Sequence, residues 1–465
     1  MVFSSITFLW FFLPCVLLGG RLIRNIPLQN IFLLLVSLIF YAWGEPKYIL
    51  LMACSISVNF VIGWIMDSRA GAARKIWLAI GVIVNLLLLG YFKYFDFLVD
   101  AFNGICGYAV FEPKNIALPI GISFYTFQVM SYVIDLYRGE IRLQRNPLNL
   151  ALYVSFFPQL IAGPIVKYHD IEQQITKRNV ASEKFACGIR RFVYGLAKKV
   201  ILSNCFAQVV DLYFDASFDQ LGTLAIWGMM FLYALQIYFD FSGYSDMAVG
   251  LGKMFGFDFM ENFNYPYRSL SVREFWRRWH ISLSTWFREY LYIPLGGNRK
   301  GNGRTYLNLA IVFFCTGLWH GASFNFIIWG LWHGVFLIIE RKFLGKLLDK
   351  NRFRILNWIY VMLVVMVGWV FFRAENLTDA WTILKMMFIP AAGYYNIAEV
   401  LDRKVLLLAI IGFILSLGLK KNLAAGAQDD TSFRWLEIVL LGFLLWVSIM
   451  MMVSNTYNPF IYFRF

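Results

Sequence analysis

Long apolar runs separated by short basic connections set the rhythm of this chain. The opening stretch, MVFSSITFLWFFLPCVLLGG, is one such run and is followed by Arg21 and Arg24. Runs near 27–43 and 47–66 flank the short connection Gly44-Glu45-Pro46, after which come Arg69, Arg74 and Lys75. Further runs lie near 76–92, over ALPIGISFYTFQVMSYVIDLY, and near 355–373, 404–419 and 435–453. About 20 apolar residues in a helix cross the hydrocarbon of a bilayer, where every backbone polar group must be bonded within its own segment. The pattern predicts an all-α, polytopic integral membrane protein.

Several segments depart from simple spans. The run from Pro147 to Tyr168 ends in QLIAGPIVKYHD, where Gly163-Pro164 is expected to break the helix and make a re-entrant element. Residues 167–204 are amphipathic and basic, as befits helices at the inner membrane face, and His169 reads there as an ordinary surface histidine. Gln236, Asp240, Ser242 and Asp246 fall inside an otherwise apolar window. Ser242-Gly243 is expected to bend that helix, with Arg277, Arg278 and Arg288 as partners for the two carboxylates. Between Glu261 and Arg304 there are eight Lys or Arg against three Glu, a density too high for a span. With its Trp and Tyr content, this stretch predicts helices along or dipping into the cytoplasmic face. Residues 374–402 read as an outer stretch with a re-entrant piece around LKMMFIPAAGYY.

Composition agrees: 60% of residues are hydrophobic, 15% are charged and the mean hydropathy is +0.61, whereas a soluble domain carries roughly a quarter charged residues. No low-complexity linker interrupts the chain, so residues 1–465 are expected to form one membrane domain, with 454–465 as an aromatic tail. The net charge of +14 sits in the short connections, which points to inner loops on a lipid bilayer and away from nucleic acid. Charge placement along the spans predicts that both termini face outward. The opening stretch lacks the basic leading region of a cleaved signal peptide. Cys15, Cys54, Cys106, Cys187, Cys205 and Cys315 form no CxxC pair and read as small apolar residues, with no metal site expected. Gly296-Gly297 belongs to no phosphate-binding pattern.

The candidate chemistry is concentrated between Phe275 and Gly334, which holds three of the four histidines: His280, His320 and His333. His320 and His333 each end a long apolar run inside the pentapeptide Gly-Leu-Trp-His-Gly. An ionisable group at bilayer depth is costly and is usually kept for function, and imidazole exchanges protons near neutral pH. The pattern alone does not separate His320 from His333; for His333 the alternative is a histidine hydrogen-bonded within the bundle. The basic, aromatic surface around His280 suits a polyanionic donor such as a nucleotide-bearing thioester.

The strings LPIGISFYTFQ, FFPQLIAGPIVKY, QIYFDFSGYSDMAVGLGKMFGF, ENFNYPY, EFWRRWHISLSTWFREYLYIPLGGNRKG and TGLWHG resemble the membrane-bound O-acyltransferase (MBOAT) superfamily. Within it they are similar to the bacterial branch that O-acetylates exported polysaccharides such as alginate and peptidoglycan. The likeness to the subunit that D-alanylates teichoic acid is more distant. The resemblance implies a ring of about 11–12 transmembrane helices, with re-entrant and cytoplasmic interfacial helices, around a central tunnel. It implies His320 as the catalytic histidine and His280 as the second histidine on the cytoplasmic side. Arg277, Arg278, Trp276, Trp319 and Asn325 are the expected donor- or substrate-binding neighbours.

The implied reaction takes an acetyl group from acetyl-CoA, with no permanently bound cofactor, and passes it through the bacterial cytoplasmic (inner) membrane. A secreted or membrane-anchored SGNH-type acyltransferase would then place it on an exported polysaccharide. D-alanyl transfer is the alternative within the family; a transporter or a scaffold of a secretion complex is the alternative outside it. A transporter would show repeats with paired broken helices, and here only the pentapeptide recurs. The chain ends in SNTYNPFIYFRF, in which five of the last six residues are aromatic or aliphatic. That ending fits either an interfacial aromatic belt or a tail folded into the outer funnel, presenting Tyr462 as an acyl carrier.

Overall fold

The computed structural model describes residues 1–217, 220–348, 353–418, 435–454 and 457–461; Tyr462 lies outside them. The described residues are predominantly helical. In order the helices are α1 (Leu13–Leu22), α2 (Ile26–Ala42), α3 (Ile49–Asp67), α4 (Gly71–Leu89), α5 (Phe95–Cys106), α6 (Ile122–Arg138), α7 (Pro147–Ser155), α8 (Phe157–Leu160), α9 (Tyr168–Thr176), α10 (Ser182–Ala197) and α11 (Asn204–Ser217). Then come α12 (Thr223–Met254), α13 (Val272–Arg278), α14 (Ile281–Phe287), α15 (Asn302–His320), α16 (Phe324–Ile339), α17 (Gly345–Leu348), α18 (Arg354–Arg373), α19 (Leu377–Phe388), α20 (Ile397–Val400), α21 (Arg403–Ser416) and α22 (Trp435–Ser454). Among the described residues there is no sheet, only a single bridge between Leu221 and Tyr395.

Among the described residues, five helical stretches are long and apolar enough to cross a membrane: Ile49–Asp67, Gly71–Cys106, Thr223–Met254, Arg354–Arg373 and Trp435–Ser454. Phe8–Leu22 and Ile26–Ala42 are shorter apolar helices. α22 presents exposed Leu436, Val439, Phe443 and Trp446, the surface expected of a helix solvated by lipid tails.

The chain divides into two compact units, Met1–Phe192 with Ser245–Met260, and Val193–Tyr244 with Glu261–Phe465. The first unit is built on α2, α3, α4, α6 and α7, around a cluster of Phe3, Phe8, Phe12, Phe40 and Phe157 whose rings pack about 5–6.5 Å apart. The helix break expected at Gly163-Pro164 begins earlier in the chain. The helix first stops at Phe156, because Pro158 has no N–H to continue it, and the freed Phe157 N–H donates to Ser37 Oγ at 3.1 Å.

His169 is not an ordinary surface histidine. Its Nδ1 lies 2.9 Å from buried Asp135 and its Nε2 lies 3.1 Å from Asp170. These two carboxylates raise its pKa to about 10, with the Asp135 hydrogen bond the larger cause.

The expected bend at Ser242-Gly243 is absent, and α12 runs unbroken from Thr223 to Met254. Gly243 serves close approach instead: a Cβ there would stand 2.8 Å from the Gly195 carbonyl oxygen. The carboxylate partners also differ from expectation. Asp240 pairs with Lys199 at 2.6 Å, and in the first unit Asp246 takes Arg191 at 2.6 Å. Arg278 instead binds Glu274 at 2.8 Å, Arg288 binds Glu289 at 3.4 Å, and Arg277 is exposed. Sequence proximity misled because burial decides: a carboxylate inside the bundle needs the cation that shares its depth.

α15 and α16 pack backbone to backbone through the two pentapeptides. A Cβ on Gly317 would lie 2.3 Å from the Phe326 carbonyl oxygen, and one on Gly330 would lie 2.2 Å from that of Phe313. The repeated Gly is thus a helix-contact device of the kind small residues provide in membranes.

Candidate functional site

The site starts from the short helices α13 and α14. Ser271 Oγ accepts the Glu274 N–H at 3.0 Å and caps α13. Glu340, buried just beyond α16, accepts two further N–H groups of that first turn, from Val272 at 2.5 Å and Arg273 at 3.0 Å. α13 and α14 meet at His280, whose φ of 45° is left-handed. The junction is pinned by Asn264 N–H to Arg278 O and by Ile281 N–H to Asn262 O, each at 2.9 Å. This reversal carries the His280 ring inward, where it is fully buried although its segment is rich in charge.

His280 Nδ1 lies 3.1 Å from Asn262 Oδ1. That oxygen also accepts the Ser282 N–H at 3.2 Å and the Ser282 hydroxyl at 2.9 Å. A backbone N–H can only donate, so the Asn262 atom is an acceptor and Nδ1 must carry the proton. Burial holds the ring neutral, with its pKa lowered to about 3. Nε2 therefore presents a lone pair, and it has no hydrogen-bond partner among the described residues.

His320 is the last residue of α15, buried, with its ring 6.3 Å from that of His280. Trp319, Trp329 and Phe372 surround it edge to face at 5.0, 4.9 and 5.3 Å. His320, Phe241, Trp279, Trp329 and Phe372 line a narrow cavity, and Ile461 from the C-terminal segment forms part of its wall. Apolar walls exclude water from the His320 imidazole and strengthen any charge interaction formed there.

His333 stands apart from this cavity. It is fully buried against Trp276, Phe275 and Trp329, and a Cβ on Gly368 would come within 2.7 Å of its Nε2. Neither ring nitrogen has a hydrogen-bond partner among the described residues, so it is a packed ring and not the hydrogen-bonded histidine of the alternative reading.

The other expected site residues are distributed unevenly. Trp319 lies against both site histidines, 5.7 Å from His280. Trp276 packs in the core against His333, Phe313 and Trp329. Asn325 ties the start of α16 to the Ala374 carbonyl at 2.7 Å. Arg278 is held by Glu274 and by the Asn264 carbonyl, leaving exposed Arg277 as the freer cation of the pair. Tyr462 is outside the described residues, but the segment just before it is placed. Phe460 stacks on Tyr244 at 4.8 Å, and both Phe460 and Ile461 are buried. Asn262 and Trp329 were not singled out in the sequence; ENFNYPY was the only signal for Asn262, because nothing in a string reveals which polar side chain will face a ring.

The MBOAT, membrane-bound O-acyltransferase family profile matches residues 38–378. A probable alginate O-acetylase of Pseudomonas putida is 42% identical across the full length of both chains. The peptidoglycan O-acetyltransferase of Helicobacter pylori is 34% identical over 100% of this chain and 98% of its own. The teichoic acid D-alanyltransferase of Bacillus subtilis is 28% identical over 48% of this chain and 59% of its own. With its apolar spanning helices and a histidine-lined cavity, the chain belongs to the membrane-bound O-acyltransferase family and is a multi-pass membrane acyltransferase.

Proposed function

We propose that this enzyme draws acetyl groups from cytoplasmic acetyl-CoA and delivers them outward for O-acetylation of a cell-envelope polysaccharide. The observation that carries the reading is the pair of buried imidazoles, His280 and His320, with rings 6.3 Å apart, the second of them lining a cavity that the C-terminal segment helps to wall. Full-length similarity to alginate and peptidoglycan acetylating proteins supports the acyl group and acceptor class.

In this reading His320 is the general base. It removes the phenolic proton of Tyr462 as the oxygen attacks the thioester carbonyl; the C–S bond breaks and the departing thiolate takes the proton back. The resulting phenyl ester is more activated than an alkyl ester, so the acetyl group can pass to a serine of a secreted SGNH-type enzyme and then to the polymer. His280, neutral and with Nε2 free to accept a hydrogen bond, orients the donor, while Arg277 and Arg278 attract its phosphates. The enzyme would sit in the inner membrane, with both termini outside and the 261–304 segment inside.

The test is transfer of labelled acetyl from acetyl-CoA by purified protein in vesicles. Wild type should acquire an acetyl adduct on its C-terminal peptide, and Tyr462→Phe, which removes only the hydroxyl, should acquire none. Full polymer acetylation by the Phe variant, or a reporter placing residue 465 inside the cell, overturns the carrier role. Labelling from D-alanyl but not acetyl donors would move the enzyme to the teichoic-acid type.

A further inference from the structure

We infer that the buried Lys199–Asp240 pair is a clasp for the backbone of the C-terminal segment, making both residues positioning residues for the chain end; its bearing on catalysis rests on the carrier reading above. Both side chains are about 2% exposed, and they lie 2.6 Å apart. Each divides its bonding between its partner and the tail. Asp240 Oδ1 faces Lys199, while Oδ2 accepts the Ile461 N–H at 2.8 Å. Lys199 Nζ reaches Asp240 and also donates to the Pro459 carbonyl.

The tail is thus gripped at two backbone groups two residues apart, an acceptor by the cation and a donor by the anion. Between them the Phe460 ring lies 5.7 Å from Lys199 Nζ and stacks on Tyr244. A second buried pair repeats the arrangement upstream. Arg373 binds Asp211 Oδ1 at 3.0 Å, and Asp211 Oδ2 accepts the Tyr457 hydroxyl. Asn458 meets Asn204 at 3.2 Å.

Two ion pairs that each devote one carboxylate oxygen to the same five-residue segment exceed what helix packing requires. A buried pair is tolerated only when its remaining donors and acceptors are satisfied, and here the tail supplies part of that satisfaction. Because the lower clasp holds main-chain atoms, it sets the position of Ile461, a wall residue of the His320 cavity, without depending on that side chain.

The experiment compares wild type with Lys199→Met/Asp240→Asn, which removes both charges together and leaves no lone buried ion. Carboxypeptidase treatment of detergent-solubilised protein, followed by intact mass, should leave residues 457–461 in wild type and remove them in the double variant. Activity should fall about 100-fold in kcat, as misplacement of a reacting group by about 1 Å can cause, with KM for acetyl-CoA little changed. Lys199→Arg, which keeps the cation, should restore protection. If the double variant does not fold, Lys199→Gln/Asp240→Asn, which puts a neutral hydrogen-bonding pair in place of the ions, should still speed trimming past Ile461. Equal protection in variant and wild type overturns the clasp. Trimming requires no turnover, so the clasp can stand if Tyr462→Phe refutes the carrier, and the carrier can stand if the clasp fails.

Discussion

Asn262 Oδ1 faces His280 Nδ1 at 3.1 Å while accepting two bonds from Ser282, and so dictates which nitrogen of the imidazole carries the proton and which presents a lone pair. Asn262→Leu should free the tautomer and lower turnover by about 10–100-fold at unchanged expression. Asn262→Asp should act differently. The added carboxylate favours imidazolium, so the pKa of His280 rises from about 3 and its lone pair is lost as pH falls. A new acid limb should then appear in the pH–rate profile above about pH 5, absent from wild type. A profile indistinguishable from wild type would leave Asn262 a packing residue.

The duplicated pentapeptides can be separated by substitution. His320→Ala should reduce acetyl transfer about 10²–10⁴-fold while leaving membrane insertion intact. His333→Ala removes a packed ring and should cost about 2–4 kcal/mol of stability, yet turnover per folded molecule should persist. Labelled acetyl transfer and gel-filtration yield, measured side by side, decide between them.

Glu340 connects α16 to the helix that precedes His280. In Glu340→Gln one oxygen becomes an amide nitrogen facing a backbone N–H, so the first turn of α13 loses an acceptor. A loss of about 1.5–3 kcal/mol is expected, read as a lower midpoint in thermal unfolding followed by tryptophan fluorescence.

His169 should impose a pH dependence on stability. Its folded pKa is raised to about 10 from an unfolded value near 6.5, so its contribution is complete below about pH 6.5 and is lost as pH climbs through about 10. Wild type should therefore lose thermal stability across that alkaline window, and His169→Gln should lose less over the same range.

The spanning helices were legible because lipid enforces them. The runs near 47–66, 355–373 and 435–453 became Ile49–Asp67, Arg354–Arg373 and Trp435–Ser454 within a few residues. Long-range pairing was not legible. Lys199 lies in a basic stretch that reads as interfacial, and only burial shows that it turns inward to Asp240. The same limit hid Asn262, whose part depends on the left-handed turn at His280. His320 stood out as an ionisable group in an apolar run, but so did His333, because the repeated string reports helix contact as much as chemistry.

That contact has a mechanical corollary. With Gly317 against the Phe326 carbonyl and Gly330 against that of Phe313, neither α15 nor α16 can slip by a residue without driving a side chain into main chain. That register holds His320, at the end of α15, in one position against Trp329 of α16, since α15 cannot travel along α16.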